Sequence, residues 1–319
     1  MTTNTPLLAC FQLDPPLKSP VDPSELEPGA ASWMHLDLND EGAGRWLESD
    51  LGLTALVREA LLDQETRPRI ASSDSGTLVI LTGVNLNPGA KPEDMVSIRL
   101  WVEPQRVVSG VLRQLKAVAT LENRFGSGHG PKTPGALIAT LADLLTENAA
   151  PIVAAMDERL DDIEVEIEAG RDQEVRGELL DLRHRALALR RFVAPQRDAL
   201  SRLTSLPPPW LALEEQRSLQ ETADEVTRLV EHLNFVWERA AMLQEQALAR
   251  GAEQTNRRLY MLSIVAGIFL PLSFVTGLLG INVGGIPGGD TPFGFLAVCL
   301  LLIAVGLLEY LIFRRLRWL

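Results

Sequence analysis

Residues 259–279 read LYMLSIVAGIFLPLSFVTGLL, an apolar stretch of 21 residues without a charged side chain. At about 1.5 Å per helical residue, this stretch can cross the roughly 30 Å hydrocarbon core of a bilayer. A second apolar stretch begins at Phe293 and reaches the same length at Phe313, with Glu309 near its far end. The sequence therefore predicts a hairpin of two membrane helices, 259–279 and 293–313.

The charges around this hairpin indicate its orientation. The connecting segment 280–292 contains no Lys or Arg, whereas basic residues flank the hairpin at Arg257 and Arg258 and again within the tail 314–319. Because Lys and Arg are enriched in cytoplasmic flanks, both termini are expected in the cytoplasm and 280–292 is expected to be an external loop. The first residues lack the basic and apolar pattern of a secretory signal, so the hairpin is expected to direct the chain to the membrane.

Several motifs resemble those of the CorA metal-ion transporter family. Gly280-Ile281-Asn282, which closes the first span, resembles the Gly-Met-Asn signature of that family. The glycine-rich segment Gly284–Gly289 resembles the zinc-transporting ZntB branch more than the magnesium branch. Further stretches with the same resemblance are Trp33–Asp37, Arg67–Arg69, Ala194–Asp198, Phe293–Phe295 and Trp318-Leu319. The resemblance covers nearly the whole chain and implies a homopentamer in the bacterial inner membrane, with the first span lining a central pore.

One face of the first span is the candidate pore lining, because helical periodicity places small, weakly polar and apolar residues on it. From the external end, this face holds Gly277, Ser273, Leu270, Ala266, Ser263 and Leu259, with Asn256 below the membrane. The resemblance implies that all of these except Ala266 and Ser263 lie on the pore axis. Small residues also let membrane helices pack closely, which is the alternative explanation of this face.

The first span lacks the side chains that bind zinc tightly. It contains no Asp, Glu, His or Cys, so it cannot hold a tetrahedral zinc site of imidazole and thiolate. Asn282 offers a neutral carboxamide at the external mouth, and a ring of five is predicted to hydrogen-bond the water shell of a hydrated cation. Asn282 beside Gly280 is also typical of a helix cap. No cofactor is expected, and the metal ion is the transported substrate.

The ion carried is predicted to be Zn2+. Ile281 replaces the Met of the family signature, Leu279 replaces the Tyr usual before it in the magnesium branch, and Asp290 is the only acid of the loop. These departures favour Zn2+ over Mg2+, and the resemblance implies uptake coupled to protons. Glu309 is the only acidic or basic side chain inside either span, which makes it a candidate for a proton role or for pairing with an Arg of a neighbouring helix.

Two alternatives to zinc transport follow from the same residues. A Mg2+ or Co2+ channel of the same fold differs only in the ion selected. A membrane-tethered cytoplasmic sensor would use the hairpin as an anchor, but an anchor requires neither the Gly-x-Asn signature nor a glycine-rich loop. The sequence contains no Ser/His/Asp or Cys/His constellation, so we do not expect an enzyme.

The composition of the chain excludes other classes of partner. The 319 residues have a formal net charge of −12 although residues 257–319 are net positive, so the preceding part is strongly acidic and unsuited to binding nucleic acid. Solubility and attraction of divalent cations both explain this acidity. Cys10 and Cys299 are too few for a disulfide framework, and the four histidines include no pair at ligand spacing.

The part before the spans is predicted to contain two modules. Residues 1–132 alternate short β-rich runs with helical ones, which indicates an α/β cytoplasmic domain with a mixed sheet. Residues 133–209 read as a hairpin of two long helices that meet near Gly170, and Pro151 and Pro195 are predicted to kink or interrupt these helices. The acidic tract Asp157–Glu168 within this hairpin is either a solvated helix face or a cation-sensing surface.

A very long helix is predicted to join the cytoplasmic part to the membrane. Residues 210–258 form its stalk, and the tract Trp210–Leu270 contains no proline. The helix is expected to continue unbroken into the first span. Apolar residues recur along it in steps of three and four, so this face requires packing partners in a bundle or an oligomer.

Overall fold

The computed structural model describes residues 5–17, 19–64, 66–281 and 292–315. The chain divides into two compact units, Met1–Gln244 and Glu245–Leu319. The first unit contains a mixed sheet followed by long helices, and the second contains the apolar C-terminal helices. The predicted fold class is therefore confirmed.

A six-stranded sheet forms the centre of the first unit. Its strands are β1 (Leu7–Gln12), β2 (Ser32–Asp37), β3 (Arg69–Ser72), β4 (Thr77–Gly83), β5 (Val96–Glu103) and β6 (Arg106–Val111). The order across the sheet is β1-β2-β6-β5-β4-β3, with β2 and β6 parallel and all other pairs antiparallel. Sequence reasoning missed β3, because only Ile70 of its four residues is buried and the alternation that predicts a strand is absent.

Helices cover both faces of the sheet. The short helices α1 (Ala43–Ser49) and α2 (Ala55–Leu62) bury Leu47 and Leu61 against Leu36 and Ile80 on one face. On the other face, α3 (Lys116–Gly126) contributes Phe125, which stacks on Phe11 with ring centroids 4.6 Å apart and on Trp33 at 5.8 Å. Successive side chains of a strand point to opposite faces of the sheet, so alternate residues of the strands contribute to two separate cores.

Two long helices also pack against the sheet. They are α4 (Pro134–Glu168) and α5 (Asp172–Ser205), and they reverse direction at Gly170, whose φ of 81° suits a glycine. Both helices continue through their internal prolines, Pro151 and Pro195, so the predicted interruption was wrong. Buried residues flank each proline, such as Ala149 and Val153 in α4, and their packing maintains the helix where the proline removes one hydrogen bond.

The predicted long helix is confirmed. Helix α6 runs without a break from Leu213 to Leu279, and α7 follows at Gly294–Arg315. In the first unit the apolar stripe of α6 is buried within the single chain, at Leu219, Ala223, Val226, Val230, Leu233, Val236, Ala240 and Leu243. The chain's own helices therefore supply the partners that this part of the stripe requires.

Candidate functional site

Two apolar helices of the second unit carry the predicted pore. Among the described residues, α4, α6 and α7 are long and apolar enough to cross a membrane, and their most apolar windows have mean hydropathies of 1.3, 2.2 and 2.6. In α4, 56% of that window is buried inside the chain, whereas none of it is buried in α6 or α7. Helix α4 is therefore a core helix, and the exposed apolar surface belongs to the two helices that the sequence identified.

The residues predicted to line the pore form one exposed face of α6. Asn256, Leu259, Ser263, Ala266, Leu270, Ser273 and Gly277 are all exposed in the single chain. At 3.6 residues per turn they share one side of the helix. The fold thus places them together and leaves them uncovered.

Helix α7 packs against the opposite side of α6. A Cβ on Gly267 would lie 3.0 Å from Cζ of Phe313, so the glycine permits close approach of α7. The other partly buried residues of this part of α6 include Ile264, Ile268 and Val275, which lie on the same side as Gly267. The packing surface for α7 and the candidate pore face are therefore different surfaces of one helix.

The polar groups of the candidate pore face are weak ligands. The Ser263 hydroxyl on this face donates to the Leu259 carbonyl at 2.9 Å, and the Thr276 hydroxyl beside the face donates to the Leu272 and Ser273 carbonyls at 3.0 Å. These hydroxyl oxygens retain lone pairs that accept hydrogen bonds from water. Pro271 removes the amide that would bond the Gly267 carbonyl, although α6 continues through it.

The signature begins at the C-terminal end of α6, which the sequence predicts to be external. The Gly280 amide donates to the Thr276 carbonyl at 2.9 Å, and Ile281 follows directly. The predicted metal-contacting residue, Asn282, lies outside the described residues, as does Asp290. The proposed ring of carboxamides therefore stays a prediction from the sequence and the resemblance.

Glu309 is the carboxylate of α7. Both of its carboxylate oxygens are shielded from solvent, and neither makes a hydrogen bond with any described residue. A carboxylate in a membrane helix is costly without a partner, which is why such residues are candidates for a functional role. A proton role and a partner on a neighbouring chain both stay predictions for Glu309.

Two arginines, one within the tract and one on α6, form ion pairs with the acidic tract Asp157–Glu168, and sequence reasoning had not made this connection. Arg239 of α6 lies within 3.3 Å of Asp157, and within 2.6 Å of both Asp161 and Glu164. Arg159 donates two hydrogen bonds to Glu178 of α5, at 2.6 and 2.7 Å, and these bonds lower the pKa of the Glu178 carboxyl. The tract thus links α4 to α5 and α6.

The described part of the chain contains no group of three or more His, Cys, Asp or Glu side chains that could hold a metal ion. The histidine most affected by its surroundings is His35, which is buried in β2. Its Nδ1 lies 2.8 Å from the Ser109 hydroxyl, and the same hydroxyl accepts a hydrogen bond from Trp33 Nε1. Desolvation lowers the pKa of His35 from 6.5 to about 4 despite the opposing effect of Asp37.

Acid is expected to destabilise the first unit through His35. The unfolded chain protonates this imidazole below about pH 6.5, whereas the folded chain keeps it neutral down to about pH 4. Stability is therefore lost as the pH falls, by about 2 kcal/mol between pH 7 and pH 5. Urea unfolding at both pH values should show this loss in the wild type and in the exposed control His129→Gln, but not in His35→Gln. An equal loss in all three proteins would contradict the assignment.

Comparison with known proteins identifies the family. Residues 29–315 match the family described as CorA-like Mg2+ transporter protein. The divalent cation transporter CmaX of Pseudomonas aeruginosa is 42% identical over 297 residues, which cover 92% of this chain and 90% of CmaX. The zinc transport protein ZntB of Pectobacterium atrosepticum is 36% identical over 290 residues, which cover 90% of this chain and 88% of ZntB.

Comparison with a solved structure supports the same family. A structure of full-length CmaX superposes with a TM-score of 0.86 at 39% identity, and the match covers 100% of both chains. This chain therefore belongs to the CorA family of metal-ion transporters, and its class is that of a transporter rather than an enzyme.

Proposed function

We propose that this chain carries Zn2+ across the bacterial inner membrane as a homopentamer, through a central pore lined by α6. The observation that supports this proposal best is the exposed face of α6 from Asn256 to Gly277, which lies opposite the side packed on α7. A pore needs a helix surface that the chain's own fold leaves uncovered. This face has small and weakly polar residues along the length of the span.

Several chains are needed to form such a pore. Two membrane helices cannot enclose an aqueous path, so identical chains must form a closed ring around it. In this arrangement 259–279 and 293–313 cross the membrane, 280–292 is external, and both termini are cytoplasmic. Arg314 and Arg315 end α7 and would contact anionic lipid at the inner surface. Mass measurement of the protein in mild detergent tests the pentamer.

Zinc is the preferred ion in this proposal. The relative ZntB is a zinc transport protein, and Ile281 and Leu279 depart from the magnesium branch as described above. The competing function is a Mg2+ or Co2+ channel of the same fold, which the description of the family favours. Proton coupling, with Zn2+ uptake driven by an inward proton gradient, is the proposed energy source.

Ion flux into proteoliposomes tests the proposal. Purified full-length protein is reconstituted with a Zn2+-sensitive dye inside the vesicles, and an acid-outside pH gradient is imposed. We expect Zn2+ uptake that exceeds that of protein-free vesicles and increases with the gradient. Uptake of Mg2+ or Co2+ in preference to Zn2+ would establish the competing function, and Zn2+ uptake that is independent of pH would remove proton coupling. No flux of any divalent ion would overturn transport.

Discrimination among similar divalent ions is expected to be modest. The first span contains no carboxylate, imidazole or thiolate, so ions are recognised largely through their water shells. Direct nitrogen or sulfur ligation, which gives zinc sites their affinity, is absent from that span. Initial rates for Zn2+, Co2+ and Ni2+ should therefore lie within about tenfold of one another. Tight binding that excludes Co2+, measured after replacement of the cytoplasmic histidines, would contradict this expectation.

A further inference from the structure

A cationic groove lies on the surface of the first unit, far in sequence from the membrane helices. Its basic side chains are Arg67, His184, Arg190 and Arg191, and its floor includes Leu187 and Ala194. The groove has a volume of about 600 Å³. None of its residues belongs to the candidate pore.

The fold builds this groove from two distant segments. His184, Leu187, Arg191 and Ala194 recur in steps of three and four, which places them on one face of α5. Arg67 comes from the loop before β3, and α5 packs against both β3 and β4. The Thr82 amide in β4 donates to Gln196 Oε1 at 2.7 Å, and this bond fixes α5 on the sheet one turn beyond Arg191.

The charge in the groove is unbalanced. Among the described residues, no carboxylate lines it, and the side chains of Arg67, His184 and Arg190 make no hydrogen bond or ion pair there. The guanidinium carbon of Arg191 lies 6.0 Å from the centroid of the Phe192 ring. This lack of partners is unexpected in a chain of net charge −12.

Two other arginines of the same helix have partners. Arg185 lies 3.5 Å from Glu93 and 3.9 Å from Asp181, and Arg183 donates to Gln244 at 2.8 Å. These two side chains have carboxylate or amide partners within the chain, whereas the described residues that line the groove include no such partner. An external anion is the partner that this arrangement lacks.

We propose that the cationic groove binds a phosphate-bearing ligand of nucleotide size. Guanidinium groups present paired donors whose geometry matches phosphate oxygens, and they stay charged at every physiological pH. The apolar floor suits a ring or another uncharged portion of the ligand. The volume falls in the range of about 300–1,000 Å³ that is usual for small-molecule sites. The phosphate belongs either to a soluble phosphate ester or to a phospholipid headgroup.

Binding measurements on the full-length protein in detergent test the proposal. The probes are ATP without added metal, as the soluble phosphate ester, and short-chain phosphatidylglycerol that stays soluble beside the detergent, as the headgroup. The test variant carries Arg67→Gln, Arg190→Gln and Arg191→Gln. The matched control is Arg197→Gln, which removes one charge from the same helix at a partly exposed position paired with Asp198.

We expect one probe to bind the wild type and the control equally, and to bind the triple variant at least about tenfold more weakly. The affinity should also fall as salt is raised, because the contact is ionic. The probe that meets these criteria identifies the source of the phosphate. Thermal unfolding should be unchanged, since all three arginines are exposed.

Two results would overturn the cationic groove as a phosphate site. The first is the absence of binding of either probe to the wild type. The second is a triple variant that binds like Arg197→Gln, which would place the bound anion elsewhere. Neither result bears on Zn2+ flux, so this inference and the proposed transport function can fail independently.

Discussion

Replacing Asn282 with Ala is expected to abolish Zn2+ flux or to lower it by about tenfold or more. In the proposed pentamer the substitution removes five carboxamides at once from the external mouth. Each contributes hydrogen bonds to the water shell of an incoming ion, and alanine can replace none of them. The assembly should persist, because Asn282 lies beyond the end of α6 and its contacts with α7.

Uptake into proteoliposomes, normalised to the amount of pentamer, measures this effect. The control is Asn123→Ala, which removes an exposed carboxamide from α3 in the first unit and should leave the flux unchanged. Equal Zn2+ uptake by Asn282→Ala and the wild type would refute the carboxamide ring. A loss of the pentamer in Asn282→Ala would instead support the capping role of this residue.

Replacing Phe125 with Ala is expected to have the largest effect on the stability of the first unit. Phe125 is fully buried, and its ring stacks on Phe11 and Trp33, which belong to β1 and β2. Its removal leaves a cavity where α3 meets the sheet and should lower the free energy of unfolding by about 3–5 kcal/mol. Gly130 lies against the same ring, since a Cβ there would be 2.3 Å from Phe125 Cδ1.

Denaturant unfolding followed by tryptophan fluorescence measures the loss. Phe235→Ala is the matched control, because this ring is 52% exposed and its main contact is Arg239, 5.9 Å from the ring centroid. The control should cost less than about 1 kcal/mol. A Phe125→Ala protein as stable as Phe235→Ala would show that the aromatic stack contributes little to the fold.

The strongest periodic signals in the sequence predicted the elements most accurately. The proline-free tract from Trp210 predicted a continuous helix into the first apolar stretch, and α6 confirms it from Leu213 onward. The edge strand β3 was missed because three of its four residues are exposed. The prolines of α4 and α5 do not interrupt their helices, one of the two effects predicted, since tertiary packing on both sides of each proline offsets the hydrogen bond that it removes.

Part of the candidate site could likewise be predicted from the sequence, and part of it depends on the tertiary structure. Helical periodicity by itself places Ser263, Leu270 and Gly277 on one face of α6, because positions three and four apart always share a side of a helix. Which face α7 covers depends on contacts between helices, such as Gly267 with Phe313, and no local pattern specifies such contacts.

The sequence by itself determined the two apolar spans, the long helix before them and the family signature, because each of these features depends on residues that are close together along the chain. Only the tertiary structure brought Arg67 beside Arg191, and Arg239 beside the acidic tract. These contacts join residues separated by 75 positions or more, and their proximity results from the packing of α4, α5 and α6 with the sheet. The ion-pair partners and the unpaired cations of the groove follow from that packing, which is set by the buried apolar surface of the whole unit.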